Sequence, residues 1–88
     1  MSPLHLVVHP DALTSCLEIA RSGDAVLLLE DGVYAAATGN VDFAPVYAVR
    51  LDLAIRGLAG SPLGEVTAID YAGFVELCTK HQPIVTWT

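Results

Sequence analysis

Positive charge is what this sequence has least of. Arg21, Arg50, Arg56 and Lys80 stand against ten acids in 88 residues, giving a formal net charge of −6. Nucleic-acid binders present a basic patch or stripe, and four scattered cations make neither, so direct nucleic-acid binding by this chain alone is not expected. Charge of both signs together reaches only 16%, against roughly 25% in an ordinary globular domain. In a chain that is 53% apolar, so little charge implies a surface partly covered by a partner. Oligomerisation is a normal way for a small domain to gain the burial it lacks.

Cysteine is scarce as well. Cys16 and Cys78 make no disulfide framework. Residues 4–8 are too short for a signal h-region and include His5, so no leader is expected. The apolar run at 25–29 is far from the ~20 residues a membrane span needs. The expected setting is the reducing cytoplasm, with both thiols free.

Catalytic signatures are missing too. The glycine turn Glu30-Asp31-Gly32 has neither the dinucleotide-binding spacing nor a Walker lysine, and its two acids would repel a phosphate. No nucleotide cofactor is expected. No G-x-S-x-G elbow occurs, and His5, His9 and His81 are dispersed. Cys78 and His81 lie three apart near a helix end, but a metal site would need two further ligands. No metal is expected there; Cys78 reads as a core residue and His81 as a helix terminus.

What is present is a regular alternation. Residues 4–8 are apolar and β-branched, and read as a strand. Leu13, Cys16, Leu17 and Ala20 form an i, i+3, i+4, i+7 stripe in a helix over 11–21, with Asp11 as its cap and Gly23 as its stop. Residues 25–29 run without polar alternation, as in a strand covered on both faces of a parallel sheet. A short helix over 33–38, a turn at Gly39-Asn40 and a strand over 45–49 follow. A helix over 51–58 is stopped by Gly60 and Pro62, and a strand spans 65–69. Asp70 caps a helix running to about residue 81, Pro83 stops it, and 84–87 form the last strand. Asp31 and Asp52 hold helix-start positions as well, and capping accounts for them. Five strands alternating with helices over residues 1–88 indicate one α/β domain, a parallel sheet with helices on both faces.

Two residues stand out as functional candidates. Cys16 is the thiol to weigh as a sulfur carrier, which needs a reachable thiolate. Its place in the apolar stripe favours packing instead, since free cysteine is among the most buried residue types. Trp87, at the end of the last strand, is exposed unless something covers it; it either meets another subunit or folds back onto the domain edge.

Three strings, residues 28–36 (LLEDGVYAA), 52–58 (DLAIRGL) and 69–77 (IDYAGFVEL), with the closing Val85-Thr86-Trp87, resemble the DsrH/TusB family in order along nearly the whole chain. The resemblance implies a flavodoxin-like DsrE/F/H fold. It also implies a subunit that assembles with DsrE/TusD-like and DsrF/TusC-like siblings into a hetero-hexamer. A homo-oligomer where siblings are absent is the alternative left open by a departure from the family pattern, the short segment between Gly39-Asn40 and Val46. Such complexes relay persulfide sulfur, toward 2-thiolation of tRNA wobble uridine in the Tus branch and within oxidative sulfur metabolism in the Dsr branch. The main carrier cysteine belongs to the DsrE/TusD sibling. Cys16 matches a cysteine that DsrH-type members carry in the first helix, which makes it a candidate persulfide carrier in this chain. Thiolate attack on a donor persulfide would leave a Cys16 persulfide, whose outer sulfur an acceptor thiolate then removes. Between Gly39-Asn40 and Val46 the family has a longer helix than this chain has residues for. Two other readings stand beside this one: a purely structural interaction module with inert cysteines, and a small-molecule enzyme using Glu30, Asp31 and the residues after Val49 at the carboxyl ends of the strands.

Overall fold

Val, Leu and Ala crowd the first three segments that become strands. In the computed structural model, which describes residues 1–38, 41–43 and 45–88, the elements are β1 (Leu4–Val7), α1 (Ala12–Ile19), β2 (Ala25–Leu28), a 3₁₀ helix (Glu30–Thr38), β3 (Val46–Val49), α2 (Arg50–Ile55), β4 (Thr67–Ile69), α3 (Tyr71–Lys80) and β5 (Ile84–Trp87). All five strands are parallel, in the order β4-β3-β2-β1-β5. The chain steps outward from β1 to β4, then α3 carries it back across the sheet to place β5 beside β1. The expected turn at Gly39-Asn40 lies outside the described residues.

Strand alternation divides the core in two. Val7, Val26, Leu28, Val46 and Ala48 face Leu13 and Cys16 of α1, Val33 and Ala36 of the 3₁₀ helix, and Leu53 of α2. Leu4, Ala25, Leu27, Tyr47 and Val49 face Phe74, Leu77 and Cys78 of α3. The sheet is thus doubly wound, but unevenly: among the described residues three helical segments share one face and α3 alone covers the other. β2 is buried at all four positions, which explains its lack of polar alternation. Full burial of leucines such as Leu27 and Leu28 stabilises by about 1.5–3 kcal/mol each.

Because α3 is alone, β5 is bare on that side. Ile84 and Thr86, in register with Leu4 and Leu6, are exposed. β5 is an edge strand that, among the described residues, pairs with β1 alone.

The helix ends follow local chemistry, with some departures from expectation. Asp70 caps α3 as expected, its Oδ1 accepting from Gly73 N at 2.9 Å. An Asp70→Ala variant is expected to lose about 1 kcal/mol of stability, readable as a fall in urea midpoint at unchanged m-value. Asp11 occupies the cap position of α1 but makes no side-chain cap bond; its backbone N–H instead donates to His9 Nδ1. α2 ends well before Gly60. Gly57 takes φ +71°, while Leu58 N donates to Leu53 O at 2.8 Å and Gly57 N to Ala54 O at 3.1 Å. This is a Schellman closure, which needs a residue tolerant of the left-handed region. Asp31 and Asp52 bond to residues outside their own helices.

Candidate functional site

Three places could carry function, and each is built from residues far apart in sequence. The first lies at the carboxyl ends of β2 and β3. Glu30 sits at φ 52°, a left-handed conformation that costs a non-glycine residue of order 1 kcal/mol. Its backbone N–H is aimed at α2, where Asp52 Oδ2 accepts it at 2.7 Å. Arg56, one turn along α2, donates Nε to Asp31 Oδ1 at 2.9 Å, and its Nη1 lies 3.7 Å from Asp52 Oδ1. The aspartates expected to begin helices therefore tie α2 to the start of the 3₁₀ helix. Here Glu30, Asp31 and the segment after Val49 do meet, as the small-molecule reading placed them. Asp31 and Asp52 are spent on Arg56 and a backbone N–H, which makes the cluster a clamp.

The second place surrounds Cys16 on α1. The helical stripe turns it onto the sheet, where it is fully buried beside Leu13. Burial first, and the Asp24 carboxylate second, push its thiol from an ordinary 9.0 up to about 11. Asp24 is itself buried. Burial alone would raise its pKa, but hydrogen bonds from His5 and from Arg21 N, with their charges, hold it below the ordinary carboxylate value. His5 is 2% exposed, with Nε2 at 2.9 Å from Asp24 Oδ2 and Nδ1 receiving Trp87 Nε1–H at 3.0 Å. Trp87 is half-buried and folds back onto its own domain, its ring centroid 6.1 Å from that of His5. Sequence reasoning missed this chain of three. The available signal was a histidine in the middle of a strand otherwise built for the core, where a polar ring needs partners.

Cys78 and His81 do not converge on a site. Cys78 packs against the α3-side core, and His81 ends α3 with Nδ1 3.2 Å from Ser2 O. Among the described residues no group of three His, Cys, Asp or Glu side chains could hold a metal ion. No helix among them is long and apolar enough to cross a membrane.

The third place is a cleft of about 480 Å³ between the first turns of α2 and α3, lined by Val49, Arg50, Leu51, Ala54, Asp70, Tyr71 and Phe74. Leu51 and Tyr71 are 67% and 77% exposed, with Ile55 beside them at 68%. Large apolar side chains concentrated in this way make the cleft a candidate binding surface for a protein or an apolar ligand.

A family model and curated relatives bear on the family, and a solved structure on the fold. The model of the DsrH family, described as DsrH like protein, matches residues 7–84. This chain belongs to the DsrH family. The protein TusB of Shigella flexneri is 44% identical over 78 residues, covering 81% of this chain and 82% of that protein. TusB of Escherichia coli O81 (strain ED1a) is 42% identical over the same span. The crystal structure of the ychN protein from E. coli shares the fold, with a TM-score of 0.68 over 98% of this chain and 99% of that one, at 13% identity.

Proposed function

We propose that this DsrH-family chain is an architectural subunit of a cytoplasmic sulfur-relay complex of the TusB type, assembled with sibling subunits of related fold. The observation that carries the reading is the apolar cleft between α2 and α3, whose exposed Leu51 and Tyr71 suit an apolar partner surface rather than a polar substrate. Membership of the DsrH family and 42–44% identity to TusB proteins support the sulfur-relay part. The reading includes no nucleic-acid contact by this subunit, and the disposition of its cations supports that. Arg56 is paired with Asp31, and Lys80 with Glu76.

The reading assigns sulfur carriage to a sibling's cysteine. Cys16 serves as a packing thiol in the resting fold, and carries sulfur only if α1 lifts from the sheet. Co-expression with the siblings tests the assembly. The intact complex is expected to co-purify, and Leu51→Glu with Tyr71→Glu to weaken it at least 30-fold, about 2 kcal/mol of interface energy, with an unchanged melting temperature for the isolated subunit. Co-purification of the double variant at wild-type yield would remove the cleft from the interface. Failure of the wild-type chain to associate with any sibling would remove the reading itself.

A further inference from the structure

The sheet ends in β4 on one side and β5 on the other, and the two edges differ. β4 is three residues long and stands between Glu65 and Asp70; a short edge flanked by charge resists pairing with another chain. β5 has no such guard. Residues 83–87 carry no ionisable side chain, and no bulge interrupts their register with β1. Leu4 N donates to Pro83 O at 3.0 Å and Val8 N to Trp87 O at 3.2 Å, so the polar backbone groups of Pro83, Val85 and Trp87 face β1. Pro83, which lacks an N–H, therefore blunts nothing on the outer side. Alternation turns the N–H and C=O of Ile84 and Thr86 outward. Among the described residues no hydrogen bond of the chain reaches them, and both side chains are exposed. A hollow of about 590 Å³ lined by Met1, Gln82, Pro83 and Ile84 leaves the approach open.

We propose that β5 pairs with β5 of a second copy of this chain, antiparallel about a two-fold axis at Val85, joining two sheets edge to edge. In that register Ile84 stands opposite Thr86 of the second copy. Ile84 N–H donates to that Thr86 C=O, that Thr86 N–H donates to Ile84 C=O, and symmetry returns the same two bonds. The outward groups of Ile84 and Thr86 are then all paired, as exposed ladder groups require. On the α3 side, where Ile84 and Thr86 lie in register with Leu4 and Leu6, each Ile84 packs beside a Thr86. On the α1 side Val85 meets its own copy. Cross-strand pairs of β-branched residues of this kind stabilise antiparallel sheets.

Charge selects a second copy as the occupant. Two chains at −6 repel wherever their acids face each other, and they meet with least repulsion across a strand that has none. A self-complementary strand also needs no second surface: one patch serves both copies, and the two-fold closes the pair so that it does not grow into a fibre. The cleft between α2 and α3 lies toward β3 and β4, at the other edge of the sheet. The contact at β5 is thus independent of the one proposed for the siblings, and stands or falls without it.

Sedimentation velocity on the full chain, from about 5 µM to about 500 µM, reads the association, since interfaces of this small size are weak ones. A monomer–dimer equilibrium is expected, strengthened by salt as the repulsion between two acidic bodies is screened. Thr86→Pro removes an outward N–H and spares the β1 ladder, as a proline on an edge strand does. It is expected to weaken the dimer at least about 10-fold, while Thr86→Val leaves it unchanged. The register is read separately in a Cys78→Ala background, which keeps only the buried Cys16. Val85→Cys sets two thiols opposite each other at a Cα spacing of about 4.5 Å, within disulfide reach, so mild oxidation is expected to lock the dimer. Ile84→Cys sets them on the diagonal, beyond that reach, and is expected to stay unlinked. A monomer throughout the concentration range would overturn the proposal. So would a dimer that Val85→Cys fails to link, or a folded Thr86→Pro that dimerises as the wild type does, since either puts the contact elsewhere. Where Thr86→Pro does not fold, the cysteine pair decides alone.

Discussion

Gly32→Ala is expected to destabilise the protein by about 3 kcal/mol or more, among the largest effects a single methyl can have. The cause is a backbone crossing. A Cβ at Gly32 would overlap the carbonyl oxygen of Val7 and stand 2.8 Å from its carbonyl carbon. That carbonyl cannot swing aside, because it already accepts Leu29 N at 3.1 Å where β1 and β2 end together. Gly32 N is itself bonded to Leu29 O at 3.0 Å. Relief must come from moving the 3₁₀ helix, and with it Val33 and Ala36, both at 0% exposure. Overpacking a core in this way costs about 1–3 kcal/mol, and each hydrogen bond broken in the shift adds about 1 kcal/mol. In a domain of this size the sum lowers Tm by roughly 12 °C or more. Gly60→Ala is the control: nothing lies within 4 Å of a Cβ there, so little change is expected. Urea unfolding of both variants checks the pair, and a loss at Gly32 no larger than at Gly60 would show that the crossing relaxes.

The same crossing shows what could and could not be read from the sequence. The continuous apolar run at 25–29 announced a strand buried on both faces because its physics is local, and all four residues of β2 are buried. Asp70 announced its cap for the same reason, with its partner Gly73 three residues on. Asp31 and Asp52 carry the same local signal yet serve other ends. Their partners, Arg56 and Glu30, stand 25 and 22 residues away. No rule of spacing separates a carboxylate that caps its own helix from one that clamps a neighbour. His5 looked dispersed because its partners lie 19 and 82 residues off. They meet only once β5 returns to lie beside β1. The functional surface was the least legible part. That the chain would want a partner followed from its low charge. Which apolar side chains stay exposed depended on how the helices were shared between the faces, and α3, alone on its face among the described residues, leaves Ile84 and Thr86 bare.

Cys16 in the native protein is expected to react with alkylating or persulfide donors at least 100-fold more slowly at pH 8 than the same thiol in urea. The thiolate is the reacting species. Raising the thiol from 9.0 to about 11 removes about 100-fold of it by itself, at one decade per unit, and full burial withholds the remainder from the reagent. Cys78, half-buried on α3, is expected to be modified first, and mass spectrometry of the two peptides separates them. The sign of the pH dependence follows from the raised value. Stability is unaffected by this thiol below pH 9, where both folded and unfolded chains keep the proton. It declines between 9 and about 11 as the unfolded chain alone ionises, and levels off above. A Cys16→Ala variant should lack that decline while keeping the rest of the alkaline profile. One outcome would reverse the assignment: a native protein that gains a single reversible sulfur atom from a persulfide donor, with the gain lost in Cys16→Ala and kept in Cys78→Ala. That result would make α1 a moving part, since no donor reaches Cys16 while Leu13 and the sheet enclose it. The subunit would then be a carrier in its own right, and not only a scaffold for its siblings.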